Sequence, residues 1–109
     1  MFNNTKIKKR VNINEFVKFI KEYKKEQIEC TNHTFFRLSQ KQREIFTCEE
    51  LKRILFDEEP FLAGIQYNEN YAVFYKYKNK NLRIILGMHS HKLNIVTFYY
   101  IKQWQIRKI

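Results

Sequence analysis

The sequence predicts an α+β protein whose N-terminal helices pack on a mainly antiparallel β-meander sheet of four to five strands. Apolar residues recur with helical spacing up to about residue 57, whereas apolar and polar residues alternate after Pro60. Short polar turns separate the runs after Pro60, as in antiparallel hairpins. Helices followed by a meander are typical of α+β domains, in which the helices cover one face of the sheet.

The length and the spacing together predict one folded unit. The chain has 109 residues, which is an ordinary size for a single domain. Residues 1–12 carry four basic side chains and no acidic one. We therefore expect a basic N-terminal arm over residues 1–12 and a single α+β domain over residues 13–109.

The first helix is predicted from an amphipathic stripe. Asn14 is a suitable N-cap, and the helix is expected to end near Lys25. The apolar positions that recur at i, i+3, i+4 and i+7 are Phe16, Phe19, Ile20 and Tyr23. Four lysines, Lys18, Lys21, Lys24 and Lys25, fall on the other faces, so one side of this helix should be buried and the other solvated.

Two further helices are predicted before the change in period. One covers residues 31 or 32 to about 45. The other begins at a capping box, in which the Thr47 hydroxyl accepts from the Glu50 amide and the Glu50 side chain reaches back. This helix is expected to end before Pro60, since the residue before a proline rarely stays helical.

Four strands are predicted after Pro60, and a short strand over Gln27–Cys30 gives the fifth. The four runs are Phe61–Tyr67, Tyr71–Lys78, Leu82–Met88 and Asn94–Ile101. The turns between the first three runs are expected at residues 68–70 and 79–81.

Alternation within the last two runs predicts the face that each side chain occupies. The residues expected to meet the helices are Leu82, Ile84, Leu86, Met88, Val96, Phe98 and Tyr100. Arg83, Thr97 and Tyr99 then share the opposite face of the sheet.

Positive charge is concentrated at the C-terminal end. The net charge is +10, and residues 70–109 contain eight basic residues but no Asp or Glu. A segregated positive field attracts anionic partners and speeds their association. We therefore predict a polyanion such as RNA as partner, bound by the strand and tail lysines Lys76, Lys78, Lys80, Lys92 and Lys102.

The two cysteines, Cys30 and Cys48, are expected to be reduced and buried in a cytoplasmic protein. Their separation fits no zinc pattern, and small secreted scaffolds usually carry more cysteines. The alternative is one disulfide that closes a middle-sized loop. The chain shows no secretory signal and no apolar run near the roughly 20 residues that cross a bilayer, so no membrane role is expected.

Histidines occur in two patterns. His33 and Arg37 are four residues apart at the start of a predicted helix, where they share one face and can combine proton transfer with phosphate binding. The alternative is that His33 packs against the sheet edge and Arg37 is solvated. His89 and His91 lack an evident third ligand, so they are interpreted as turn residues, and no metal site is predicted.

From Ile28 to Tyr99 the chain resembles a family of small toxin-like domains of unassigned function, grouped with the BrnT and RelE/ParE toxins. The resemblance lies in the order of its elements: a short strand, H-x-x-x-R on a helix, a capped helix, an Arg-bearing strand and a last strand resembling V-T-x-Y. These elements correspond here to Cys30–His33, Arg37, Thr47–Leu51, Leu82–Ile85 and Val96–Tyr99.

The resemblance implies a RelE/BrnT-like fold and a metal-independent endoribonuclease of a toxin–antitoxin system, without a cofactor. His33 would transfer the proton, Arg37 and Arg83 would hold the phosphate, and Tyr99 would supply a hydroxyl. An acidic antitoxin protein would be its partner.

Two alternatives to an enzyme follow from the same residues. Tyrosines and Trp104 are interspersed with the C-terminal cations, which is typical of single-stranded nucleic-acid binding without catalysis. The basic face can equally contact an acidic protein in a regulatory interaction domain. Some of these aromatic residues are expected in the core, because Tyr and Phe are common in strands.

Overall fold

The computed structural model describes residues 6–30, 46–89 and 91–107. Over these residues, helices pack on a six-stranded mixed sheet, which confirms the predicted α+β class. None of the helices in these ranges is long and apolar enough to cross a membrane.

The sheet has more strands than the sequence indicated. In chain order they are β1 (Ile7–Arg10), β2 (Ile28–Cys30), β3 (Leu62–Gln66), β4 (Tyr71–Tyr77), β5 (Lys80–His89) and β6 (Lys92–Ile101). Their order across the sheet is β1-β3-β4-β5-β6-β2. All neighbours are antiparallel except β2 and β6, which are parallel.

The sixth strand, β1, comes from the predicted basic arm. It pairs with β3 at one edge of the sheet, where Gly64 permits a close approach. A Cβ atom on Gly64 would lie only 2.7 Å from Ile7 Cγ2. The exposed lysines of β1 also make this edge a poor template for further strand pairing.

The helices are α1 (Ile13–Lys21), α2 (Cys48–Asp57) and the short α3 (Gln103–Ile106). The N-cap of α1 is Asn12, two residues before the predicted Asn14, and its side chain accepts from Glu15 N at 3.2 Å. A 3₁₀ turn at residues 25–27 leads into β2. The helix predicted over residues 31–45 lies outside the described residues.

The predicted cap of α2 is half confirmed. Thr47 Oγ1 accepts from Glu50 N at 3.1 Å, as the capping box requires. The Glu50 carboxylate bonds to Arg53 instead of reaching back to Thr47, and its Oε1 accepts from Arg53 Nη2 at 2.6 Å.

The sheet has two different faces. The inner face is the one covered by α1 and α2. The buried core between it and the helices includes Phe16 and Ile20 of α1, Leu51 and Ile54 of α2, and the strand residues Val73, Tyr75, Leu82, Ile84, Leu86 and Phe98. The outer face is opposite and has a smaller apolar cluster of Ala72, Phe74, Ile85 and Ile101. The alternation predicted for Leu82–Leu86 is confirmed, whereas Met88 is largely exposed near the end of β5.

A bulge corrects part of the predicted alternation in β6. Ile85 pairs with Thr97 but Leu86 pairs with Ile95, so Val96 is an extra residue. Ile95 consequently packs in the inner core and Val96 against the outer cluster, the reverse of the prediction. After the bulge, Phe98 and Tyr100 face inward as expected.

The hairpin between β4 and β5 turns one residue earlier than predicted. Tyr77 pairs with Lys80, so Lys78 and Asn79 form a two-residue loop. Both have positive φ, 49° and 64°, as a type I′ turn requires. This turn places Lys78 at the tip and Lys80 at the start of β5.

The expectation of reduced cysteines is wrong. Cys30 and Cys48 form a disulfide, with Cα atoms 6.0 Å apart and a sequence separation of 18. Cys30 ends the edge strand β2 and Cys48 is the first residue of α2, so packing of the helix beside that edge brings the thiols together. The spacing of the two cysteines in the sequence did not predict this bond, because the contact depends on how the helix packs against the sheet.

Candidate nucleic-acid interface

The centre of the outer face is a row of three side chains on neighbouring strands. Arg83 of β5 is directly opposite Phe74 of β4 on one side and Tyr99 of β6 on the other. Its guanidinium carbon lies 5.2 Å from the Phe74 ring centroid and 5.8 Å from that of Tyr99. Both distances are within the range of cation–π attraction, so the two rings help to hold the guanidinium.

Arg83 is also held by a hydrogen bond. Its Nη2 donates to Oε1 of Gln66 at 2.7 Å. Gln66 is itself 1% exposed, and its Nε2 donates to Asn68 Oδ1 at 3.1 Å in the turn between β3 and β4. Burial lowers the pKa of Arg83, yet an arginine stays charged in proteins. The result is a fixed cation that is 9% exposed.

No signal in the sequence pointed to Gln66, because a single glutamine in a predicted strand belongs to no motif. Its role depends on lying two strands from Arg83 on the same face, and the pairing of β3, β4 and β5 decides that. Tyr99 is more accessible than Arg83, with 38% of its surface exposed. Arg83 and Tyr99, both predicted site residues, are therefore neighbours, and Gln66 joins them.

Lys76 belongs to a second group on the outer face. Its Nζ lies 5.5 Å from the centroid of the Phe61 ring and donates to Asn81 Oδ1 at 2.5 Å. Asn81 Nδ2 in turn donates to Gln103 Oε1 in α3 at 3.2 Å. Phe61 and Asn81 were not among the predicted site residues, and this group connects the central strands with the C-terminal helix.

The other predicted lysines fall into two places. Lys78 and Lys80 lie at the β4–β5 turn, with Nζ atoms 5.4 Å from the Tyr77 ring and 4.9 Å from the Tyr100 ring. Lys102 follows β6 at the same end of the sheet, as the N-cap of α3. Lys92 lies at the opposite end, where its Nζ is 2.8 Å from Glu29 Oε1. It is thus separated from the other four lysines and is neutralised by its partner.

Two predicted catalytic residues, His33 and Arg37, lie outside the described residues. His91 is exposed beside the β5–β6 turn, and its carbonyl oxygen accepts from Gln27 Nε2 at 3.4 Å. Within residues 6–30, 46–89 and 91–107, no three His, Cys, Asp or Glu side chains are arranged to hold a metal ion.

Five of the six strands have a one-sided charge. Neither β1 nor any of β3–β6 contains an Asp or Glu, whereas basic residues occur in β1, β4, β5 and β6. The edge strand β2 carries Glu29, which is paired with Lys92. The nearest acidic residue along this part of the chain is Glu69, in the β3–β4 turn, which forms an ion pair with Lys8. Fixed cations beside rings, on strands without carboxylates, can bind phosphate and stack planar groups.

Comparison with known proteins gives one match. A family model described as the MJ0788 family matches residues 14–86, from the first turn of α1 to β5. No curated protein and no solved structure matches the chain significantly. The description of the family names no activity, so functional inference depends on the side chains.

Proposed function

The chain belongs to the MJ0788 family, and from this premise we propose that it is a toxin-like RNA-binding protein that holds RNA on the outer face of its sheet. The observation that carries the proposal is the row of Phe74, Arg83 and Tyr99 on strands that contain no acidic residue. A guanidinium fixed between rings suits a phosphate, and an exposed tyrosine suits a base.

Binding of labelled RNA at several salt concentrations tests this proposal. We expect the affinity to fall steeply between about 50 and 200 mM salt, because bound phosphates release counterions. Arg83→Met should weaken binding about tenfold or more, since hydrogen bonds to charged groups contribute about 1.5–3 kcal/mol.

Lys92→Met is the matched control for this experiment. It also removes one positive charge, but Lys92 is paired with Glu29 at the other end of the sheet. Its RNA affinity should remain within about twofold of wild type, because Glu29 already offsets the Lys92 charge and the pair lies away from the Arg83 row. Equal losses for Arg83→Met and Lys92→Met would show that net charge alone drives binding and would contradict the proposal.

Metal-independent RNA cleavage is the second candidate, as an endoribonuclease of a toxin–antitoxin system. The pairing of Arg83 with Tyr99 favours it, since a phosphate clamp and a hydroxyl are then adjacent. His33 would move the proton and Arg37 would complete the clamp. His33→Ala should lower cleavage by at least about 10²-fold and leave RNA binding intact, in the presence of EDTA. Binding without cleavage at any pH would support the non-enzymatic alternative, a nucleic-acid-binding or regulatory protein-interaction domain.

The relation to BrnT and RelE/ParE toxins is part of the same proposal. It is supported by the order of elements, in which a short strand and a capped helix precede the consecutive antiparallel strands β3–β6. An acidic antitoxin would cover the basic face when the protein is silent. Co-purification of a small acidic protein, displaced by high salt, is the expected result; harmless overexpression and purification without such a protein would contradict the proposed antitoxin.

A cytoplasmic location also belongs to the proposal, because the proposed substrate is RNA. The Cys30–Cys48 disulfide makes this location testable, since disulfides usually persist in oxidising compartments. Fractionation should find the protein in the cytoplasmic fraction, and thiol trapping in freshly lysed cells reports whether the disulfide is formed there. Recovery only from an extracytoplasmic fraction would contradict it.

A further inference from the structure

We propose that Phe61 and Lys76 form a second base-stacking subsite, so that the outer face binds single-stranded RNA laid across β3–β6 and excludes duplex RNA. This inference rests on the proposed function, RNA binding at Arg83 and Tyr99. It adds a site at the other end of the same row and specifies the form of the RNA.

The first argument is that the two accessible rings terminate one continuous row. Phe61 and Tyr99 are 37% and 38% exposed, whereas Phe74 and Arg83 between them are 0% and 9% exposed. The Phe61 and Phe74 ring centroids are 6.2 Å apart, and the Arg83 guanidinium bridges Phe74 and Tyr99. Buried groups thus form the floor, and a usable aromatic surface remains at each end.

The local backbone explains why Phe61 reaches this face. It lies in a bend just before β3, where strict alternation has not begun, and its N–H donates to the carbonyl oxygen of Phe74 at 2.9 Å. This bond holds the Phe61 backbone beside β4, and its ring packs on the outer-face residue Phe74. The position of the Phe61 ring is therefore set by hydrogen bonding and packing against β4.

The second argument is the cation at this ring. Lys76 Nζ is directed over Phe61 and is held by Asn81, which is held by Gln103. An ammonium at a ring provides both components that single-stranded nucleic acids require, a stacking surface for a base and a charge for the adjoining phosphate. The Arg83–Tyr99 pair provides the same two components at the other end.

The third argument concerns the geometry of the RNA. Phe61 and Tyr99 are separated by three strand spacings, or roughly 14 Å, so a strand that contacts both must cross the sheet. Bases in a duplex are stacked on each other and cannot open onto isolated side chains, whereas unpaired bases can stack on aromatic rings. Two separated ring-and-cation pairs therefore favour a single strand.

The test measures binding of one fluorescently labelled RNA as a single strand and as a blunt duplex, for wild type, Phe61→Leu and Tyr99→Leu. Each substitution should weaken single-strand binding about 5- to 150-fold, the range for loss of one stacked base. Phe61→Tyr should retain most of the affinity because it keeps the ring. Wild type should bind the duplex at least about tenfold more weakly than the single strand, since the duplex cannot use either stacking surface.

Tyr67→Leu is the matched control, because Tyr67 is a 45% exposed ring at the opposite end of β3. Its affinity for the single strand should equal that of wild type. Lys76→Met should in addition reduce the slope of log affinity against log salt by about 0.7, the value for one phosphate of a single strand, whereas Phe61→Leu should leave the slope unchanged. Thermal unfolding of each variant verifies that the fold is retained.

The outcomes separate this inference from the proposed function. If wild type binds no RNA at low salt, both fail. If Arg83→Met weakens RNA binding but Phe61→Leu behaves like Tyr67→Leu, only the second subsite is overturned. Duplex binding as tight as single-strand binding would also overturn it and would leave RNA binding on the outer face in place.

Discussion

The inner and outer faces of the sheet are made from the same strands but differ in chemistry. On β5, Leu82, Ile84 and Leu86 are buried beneath the helices, whereas Arg83 faces outward among rings and amides. The inner face matches a packed interior and has few polar contacts. The outer face keeps a fixed cation and two accessible rings, which packing alone does not require. We therefore expect stability to depend mainly on the inner face and the proposed RNA binding on the outer one.

The strongest test of this division uses Ile84, the neighbour of Arg83 that faces the other way. Ile84→Ala should destabilise the protein by about 2–5 kcal/mol, because it removes buried methyl groups and leaves a cavity. Denaturant unfolding measures this loss. RNA affinity of the folded variant should equal that of wild type, and a parallel loss of affinity would contradict the division.

The next prediction concerns the disulfide that links α2 to the edge strand β2. Reduction of Cys30–Cys48 should destabilise the protein by about 3 kcal/mol, since a link across 18 residues restricts the unfolded chain. Unfolding with and without dithiothreitol measures the effect. The double variant Cys30→Ser/Cys48→Ser should show the lower stability and no response to the reductant, while neither residue belongs to the outer row.

Arg83→Met gives the converse of Ile84→Ala. Stability should fall by about 1–3 kcal/mol, because the change takes a hydrogen bond away from buried Gln66 but keeps an apolar stem on the outer face. RNA affinity should fall about tenfold or more. Arg83→Lys should restore only part of it, because an ammonium cannot reproduce the planar guanidinium. Full rescue by Lys would indicate that charge alone matters at this position.

The smallest effect is expected at Glu50, a polar exception at the end of the inner layer. The hydrogen bond from Arg53 holds the pKa of Glu50 below its ordinary value of 4.5, despite the opposing effect of burial. A lowered folded-state pKa contributes stability above the unfolded value, and this contribution disappears as the pH falls through the folded value. Glu50→Gln should therefore be less stable than wild type at pH 7 and should lose less stability between about pH 5 and pH 3. Parallel curves would contradict this role.

Local signals in the sequence predicted several elements well. The Thr47 cap, the strand that ends at Cys30 and the alternation of Leu82–Leu86 depend on spacing over a few residues, which sequence reveals directly. The predicted neighbours Arg83 and Tyr99 share the outer face, although β6 carries a bulge. Val96 shows the limit of such reasoning, because one extra residue reverses alternation and its place depends on the pairing strand.

The sequence indicated which types of residue the candidate site contains, but not how they are arranged. The absence of Asp and Glu after residue 69 is visible in the sequence, and the proposal of an anionic partner rests on it. It did not distinguish Lys76, which is held beside Phe61, from Lys92, which is paired with Glu29. Gln66 and Phe61 carried no signal, since their importance comes from strands that are distant in sequence.

The sequence by itself determined the α+β class, most strand positions and the acid-free C-terminal half, because periodicity and composition are local properties. Tertiary structure decided that residues 7–10 complete the sheet as an edge strand, that Cys30 meets Cys48, and that Gln66 and two rings hold Arg83. These features depend on strand order and helix placement, which bring together residues far apart in the chain. Physical contact between them exists only after the chain has folded.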